Sequence, residues 1–348
     1  MVAIIVPGNT WLFPYLGIFK TALERTGMDY EVVCWNREGL EENVAVSYSK
    51  PLPLNCSMPA KITGYAAYAR YLEKTVSSRK YDKLIFLTPL VALFMRNFLR
   101  KHYYKRFWLD YRDMSWELKI KPWFDSLAGM AAGISVSSPA YRDLMPQSSV
   151  LCHNLDLDRL ERALGENSPM KQASDKIVVS NIGYIRHFGQ QKEIIDALAN
   201  DNDIEIRFCG DGSSVEDLRA YVQDNGISNV SFSGRYVKDE EARLFEEADF
   251  ANIYLPETKA LLAAMSNRFY QCVLYGCLMI VNESSIQAGY VRDYGLGLCI
   301  KDCEGLAYKL KAFDRYNPEI LNSRRCLLKK LSEEQQYFVS ELTGFAKH

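Results

Sequence analysis

The chain has 348 residues, 48% hydrophobic and 24% charged, which suits a soluble globular protein of about two domains. Its formal net charge of −1 supplies no global field toward nucleic acid or anionic lipid, so no nucleic-acid partner is expected and any membrane contact must rest on a local patch. Nine cysteines form an odd, scattered set without a C-x-x-C pair, which argues for a reducing compartment and against a disulfide scaffold or a structural zinc site.

The chain opens on a strand-like run, Ala3–Val6, followed by Pro7-Gly8-Asn9. This beginning lacks the basic region and long apolar core of a signal peptide. The longest uncharged apolar stretch, Leu84 to Met95, contains Pro89 and is too short to span a bilayer. The expected location is cytoplasmic, with attachment to the inner face of the cell membrane left open. A helical stretch reads at Gly17–Arg25. Strands read at Tyr30–Cys34, Lys83–Leu87, Arg106–Leu109, Ala131–Ser137 and Ser149–His153. Short strands alternating with helical segments predict a parallel sheet covered on both faces. Asp158 to Lys176 turn polar, with Gly165, Asn167, Ser168, Pro169, Gln172 and Ser174, as expected of an interdomain linker.

The second half repeats the alternation more clearly. Strands read at Ile177–Ser180, Ile204–Cys209, Val230–Ser233, Phe250–Leu255, Leu278–Asn282 and Gly297–Ile300. Ser214-Val-Glu-Asp is a capping pattern that opens a helix with Val215, Leu218 and Val222 on one face, and Gly226 ends it. A second helix carries Phe269, Val273 and Leu274 and stops at Gly276. An amphipathic tail helix spans Leu328 to Leu342 and is expected to cross back onto the first domain. The predicted class is α/β, two doubly wound domains in tandem: residues 1–165 with the helix 328–348, and residues 172–327.

In open α/β sheets ligands gather at the carboxyl ends of the strands, so the strand-to-helix junctions are the candidate sites. The first junction runs from Ser180 through Gly183, Tyr184 and Arg186 to Lys192. A glycine directly after a strand lets backbone N–H groups approach a phosphate, and a following helix start adds a positive dipole end. Arg186 and Lys192 supply positive charge, although solvated basic side chains beside a turn glycine satisfy the same pattern. Gly210-Asp211-Gly212 forms the second junction. Gly234-Arg235-Tyr236, the third, suits either a nucleobase wall or a surface turn. The fourth, Ser266 to Gln271, places Arg268 toward phosphate and Gln271 toward a ribose hydroxyl, or is an ordinary solvated first turn. The fifth, Asn282-Glu283-Ser284-Ser285, offers Ser284 to phosphate.

In the first half, Asp110, Arg112 and Asp113 follow a predicted strand. An aspartate there would orient or deprotonate an acceptor hydroxyl; the alternative is an Asp–Arg pair that stiffens a loop. Asn9 and Arg112 are the further candidates on this acceptor side. Arg96, Arg100, Lys101, Lys105 and Arg106 cluster with Phe98, Tyr103, Tyr104, Phe107 and Trp108. That mixture suits an anionic membrane face, or a solvated helix face with its aromatics in the core.

Taken in order, Gly183…Arg186, Gly210-Asp-Gly, Ser233-Gly-Arg-Tyr, Asp239 to Asp249, Tyr254-Leu-Pro, Ser266-Asn267-Arg-Phe-Tyr-Gln271, Gly276 and Gly295-Leu-Gly297 resemble the donor half of family-four GT-B glycosyltransferases, over about 120 residues. The closest likeness is to the branch that builds bacterial capsules and exopolysaccharides. Trp35-Asn-Arg-Glu-Gly39, Leu109 to Asp113 and His153 to Asp158 carry it more weakly in the first half.

The resemblance implies a GT-B fold of two Rossmann-like domains facing a cleft. It implies a retaining hexosyl transfer from a nucleoside-diphosphate sugar, of UDP or GDP type, to a saccharide or lipid-linked saccharide acceptor. It also implies no metal and no further cofactor. Arg186 would contact the diphosphate, with Gly183, Tyr184, Lys192, Gly210, Asp211, Arg235, Tyr236, Asn267, Arg268, Gln271 and Ser284 around the donor. Gln271 stands where the family usually has the second of two paired glutamates, and Glu257 lies fourteen residues before it rather than eight. That departure supports an alternative: a GT-B-shaped partner subunit with weak or no activity, binding a nucleotide or another glycosyltransferase. A dinucleotide-binding enzyme is disfavoured, because no G-x-G-x-x-G follows a strand.

Overall fold

A computed structural model describes residues 1–40, 42–53, 56–114, 116–165 and 174–347. The chain divides into two compact units, Met1–Leu157 with Glu333–His348, and Asp158–Ser332.

The first unit contains seven strands: β1 (Val2–Val6), β2 (Tyr30–Asn36), β3 (Val46–Ser49), β4 (Lys83–Phe86), β5 (Phe107–Tyr111), β6 (Gly133–Val136) and β7 (Val150–Leu151). They form one parallel sheet in the order β3-β2-β1-β4-β5-β6-β7. The order reverses at β1, as in a doubly wound sheet. Every residue of β1 is buried, because helices cover both faces of a central parallel strand and leave it no polar side. Val2, Ile4 and Val6 pack with Phe19, Leu23, Ile85 and Trp108, and with Phe338 and Leu342 of the C-terminal helix Glu319–Lys347.

The second unit contains β8 (Ile177–Ile182), β9 (Ile204–Cys209), β10 (Val230–Gly234), β11 (Phe250–Ile253), β12 (Leu278–Asn282) and β13 (Gly297–Ile300). They form a parallel sheet in the order β10-β9-β8-β11-β12-β13. Its core joins Val179, Ile206, Phe208, Phe250 and Ile280 to Ile194, Ile195 and Leu218 of the covering helices. Each such side chain contributes roughly 1.5–3 kcal/mol of apolar burial.

Several elements differ from the sequence reading. β5 runs two residues further, to Tyr111, so Asp110 lies inside the strand rather than after it. Leu157–Gly165, which takes in the first part of the polar stretch read as a linker, is helical; Asn167, Ser168, Pro169 and Gln172 fall outside the described residues. The tail helix begins at Glu319, well before Leu328. Ser214 does precede the helix Val215–Asp224, but its hydroxyl makes no capping hydrogen bond. Its own N–H reaches back to Ile185 O at 3.3 Å, which ties the turn to the neighbouring loop instead. The helix starting at Asn267 places Gln271 in its second turn, not its first.

Candidate functional site

The loop after β8 is built by backbone contact with the loop after β9. Gly183 N–H donates to Cys209 O at 2.9 Å, and Ile185 N–H donates to Asp211 O at 2.9 Å. The two loops thus continue side by side past the ends of their strands. That approach requires glycine. A Cβ on Gly210, whose φ is +142°, would stand 1.9 Å from Gly183 O; one on Gly212 would stand 2.0 Å from Ile185 O. Gly183 itself has φ +101°, which turns the chain toward Arg186 and the helix Phe188–Leu198.

Positive charge gathers at this turn. Arg186 is exposed, and its guanidinium makes no hydrogen bond or ion pair among the described residues. Arg268, from the helix Asn267–Tyr275, donates to three backbone carbonyls: Ile182 at 2.6 Å, Tyr184 at 3.1 Å and Asn252 at 3.2 Å. It thereby joins the ends of β8 and β11 to the loop, and among the described residues no carboxylate neutralises it. Burial pulls its pKa down to about 10, and Arg186 pushes the same way, so the guanidinium is still charged at neutral pH. His187 caps the helix start in the left-handed region, at φ +64°. Its Nε2 is buried without a hydrogen-bond partner among the described residues. Burial, then Arg186 and Arg268, hold its pKa below the ordinary value. Two guanidinium groups and the positive end of an eleven-residue helix therefore meet at one glycine loop, an arrangement that favours an anion.

Beneath the loop lies a buried amide layer. Asn252 Nδ2 donates to Asn181 Oδ1 at 2.9 Å and to Gln191 Oε1 at 3.1 Å, and Gln191 Nε2 reaches Arg186 O at 3.4 Å. These residues were not singled out from sequence. Gln191 and His187 both stand inside the junction quoted there, but a neutral side chain gives no charge signal.

The other donor-side candidates divide. Asp211 accepts from Arg235 at 2.7 Å and from Gly212 N–H at 2.7 Å, and Arg235 holds its carboxyl below the ordinary range. The Tyr236 hydroxyl stands over Gly183, 3.8 Å from where a Cβ would sit, and burial with Glu241 raises its pKa to about 12. Gly183, Tyr184, Arg186, Gly210, Asp211, Arg235, Tyr236 and Arg268 are thus linked in one neighbourhood. Lys192 points elsewhere: it pairs with Asp196 at 2.5 Å and lies 4.8 Å from the centre of the Tyr221 ring. Ser284 donates to Glu257 at 2.9 Å, a pairing of the β11 and β12 loops. Asn267 is exposed at the helix start. Gln271 Oε1 is buried without a hydrogen-bond partner among the described residues.

In the first unit, Asp110 is fully buried, pairs with Arg112 at 2.5 Å and accepts the Ser135 hydroxyl at 2.6 Å. Burial raises its pKa, while Arg112 and Ser135 oppose the rise. Arg112 also donates to Asn154 Oδ1 and to Cys152 Sγ, and lies 3.9 Å from the centre of the Tyr15 ring. Burial works against its charge, but Asp110, Cys152 and Tyr15 together outweigh it and raise the pKa, so Arg112 stays charged. This is the loop-stiffening arrangement, with neither Asp110 nor Arg112 turned to solvent. Asp113 is exposed at the same strand end. Asn9 is buried and takes the N–H groups of Arg37 and Glu38, so it braces the loop after β2.

The basic and aromatic stretch splits as well. Tyr103, Phe107 and Trp108 are buried in the core. Tyr104 is exposed, as is Trp123, with Arg96 lying 5.0 Å from the centre of the Trp123 ring. Arg100 and Lys101 are exposed on the same short helix, Arg96–His102. Among the described residues no helix is long and apolar enough to cross a membrane.

No protein-family model matches the chain, and no curated protein does. Solved structures do. Sucrose-phosphate synthase from Thermosynechococcus elongatus aligns with a TM-score of 0.69 and 13% identity, over 99% of both chains. HepE from Anabaena, in complex with UDP, aligns with a TM-score of 0.66 and 12% identity, over 99% of this chain and 100% of that one. The lipopolysaccharide outer core galactosyltransferase WaaB, in its apo form, aligns with a TM-score of 0.66 and 13% identity, over 100% and 99%. At such identity the likeness is one of fold, and the fold is the GT-B fold that the sequence resemblance implied.

Proposed function

We propose that the chain is a glycosyltransferase that moves a sugar from a nucleoside-diphosphate donor, of UDP or GDP type, to a saccharide acceptor. The observation that carries this reading is the uncompensated positive pair Arg186 and Arg268 at the Gly183 loop, beside the start of the helix Phe188–Leu198. A diphosphate leaving group develops negative charge as the glycosidic bond breaks. Fixed cations and a helix N-terminus stabilise that charge without a resident metal. Gly183 and Gly210 bring backbone to the phosphates, and Asp211, Arg235 and Tyr236 border the place for the base. Gln271 Oε1 lacks a partner among the described residues, and an acceptor atom is what a ribose hydroxyl requires. Complexes of HepE with UDP and with UDP-glucose favour a uridine donor here.

The transfer retains configuration: the acceptor hydroxyl attacks from the face the phosphate leaves, and a phosphate oxygen takes its proton. No protein nucleophile is then needed. Asp113, exposed where Asp110 is not, is the candidate that orients the acceptor. The exposed Arg100, Lys101, Tyr104 and Trp123, with the partly buried Arg96, support a lipid-linked acceptor, met at the inner face of the cell membrane during surface polysaccharide synthesis. The test is to incubate the full chain with a panel of UDP- and GDP-sugars and measure free nucleoside diphosphate, with and without a lipid-linked oligosaccharide. Release from one donor that rises with acceptor is expected. Nucleotide binding without release from any donor would favour the partner-subunit reading, which Gln271 in place of a carboxylate supports.

A further inference from the structure

The Trp35-Asn36-Arg37-Glu38-Gly39 segment has no part in the donor site, yet it is tied closely to the turn after β1. Asn9 Nδ2 donates to Asn36 Oδ1 at 2.9 Å, and Asn9 Oδ1 accepts from Arg37 N–H at 2.9 Å and Glu38 N–H at 3.1 Å. Thr10 donates to Glu42 through both its N–H, at 3.0 Å, and its hydroxyl, at 2.6 Å. Two loops at the carboxyl ends of adjacent parallel strands are thus locked together, in the region where α/β sheets hold ligands.

Trp11 stands on this locked bracket, in the single-turn helix Thr10–Leu12. It is 61% exposed, whereas Trp35 is 0% and Trp108 is 3% exposed. Its indole N–H donates to Glu38 Oε2 at 3.2 Å, which orients the ring, while Glu38 Oε1 has no partner among the described residues. An apolar ring presented to water, its polar edge satisfied by a carboxylate with a free oxygen, offers two complementary surfaces side by side. A pyranose has the matching pair: a face of C–H groups and a rim of hydroxyls.

We propose that Trp11 and Glu38 form a saccharide-binding platform, the indole face taking the C–H face of a hexopyranose and Glu38 accepting one of its hydroxyls. The proposal rests on the glycosyltransferase reading and deepens it, by naming residues that would recognise the acceptor sugar.

The test uses the full chain and saturation-transfer NMR with cellobiose, maltose and lactose as probes, and UDP binding measured in parallel. Wild type should transfer magnetisation to ring C–H protons of at least one disaccharide. Trp11→Ala should weaken that binding about tenfold, with partial recovery in Trp11→Phe. Tyr337→Ala, at an exposed aromatic away from this bracket, should bind as wild type, and all variants should bind UDP equally. The proposal is overturned if no disaccharide gives a signal, if Trp11→Ala binds as wild type, or if Trp11 resonances respond to phosphatidylglycerol vesicles and not to sugars. Failure of wild type to bind UDP would instead count against the glycosyltransferase reading, whatever the sugars show.

Discussion

Asp110 and Asp113 are three positions apart and live in opposite surroundings. Asp110 is sealed in β5 against Arg112 and Ser135; Asp113 is exposed beyond the strand. At the donor loop the same contrast separates two arginines. Arg268 spends its donors on backbone carbonyls and keeps its charge, whereas Arg186 keeps both donors and charge for a ligand. His187 reports on them. Its imidazolium is disfavoured by burial and by both arginines. Removing a positive neighbour makes protonation easier, so Arg186→Ala should move the His187 midpoint up, and bound UDP should do the same in wild type. An NMR titration of the imidazole reads this, and an unchanged or lower midpoint in Arg186→Ala would contradict the cluster. The unfolded chain takes this proton first as pH falls, so His187 lowers stability once pH drops below about 6.5. Arg186 was legible in the sequence because it stands one turn past a strand-end glycine. The pairing of Lys192 with Asp196 was not, because helix position decides which way a lysine points.

The loops after β8 and β9 hold their shape through glycine. Gly210→Ala combines a strained φ with a Cβ 1.9 Å from Gly183 O. It should cost about 3 kcal/mol or more in chemical denaturation, followed on the transition of residues 158–332. Gly189→Ala, with open space around its Cβ inside the helix Phe188–Leu198, should stabilise by about 0.5 kcal/mol. A Gly210→Ala protein of wild-type stability would show that the close approach is not real. The strands of the second half were legible because buried parallel strands read as continuous apolar runs. β3 was missed: Val46–Ser49 is a four-residue edge strand with one buried residue. The helix Met58–Arg79 was missed too. Its buried stripe, Gly64, Tyr68, Leu72 and Val76, is narrow and is blurred by the further tyrosines Tyr65 and Tyr71. The Tyr68 hydroxyl reaches Val6 O and Val33 O at 3.0 and 3.1 Å, a partner that spacing alone does not reveal.

At the scale of the molecule, the C-terminal helix serves both units, its first part in residues 158–332 and its last part with residues 1–157. In the first unit Phe338 is fully buried, with ring centroids 5.4 Å from Phe19 and 6.4 Å from Trp108. In the second, Arg324 donates to Val273 O and Leu274 O. Phe338→Ala should therefore cost about 3–5 kcal/mol in the first unit. Hydrogen exchange should rise in β1, β4 and β5 while UDP affinity stays at the wild-type value; a parallel loss of UDP affinity would contradict a donor site built within the second unit. Strand–helix alternation made the two α/β sheets legible. It did not show where positive charge stays unpaired, because that depends on which charges are left uncompensated after every local pair has formed. The most direct measurement of the central claim is calorimetric titration of the full chain with UDP, wild type against Arg186→Ala. The account predicts saturable binding by wild type and affinity about ten- to a hundredfold weaker in the variant, the loss expected for charged hydrogen bonds to phosphate. Equal affinity in the two proteins, or no binding by wild type, would contradict it.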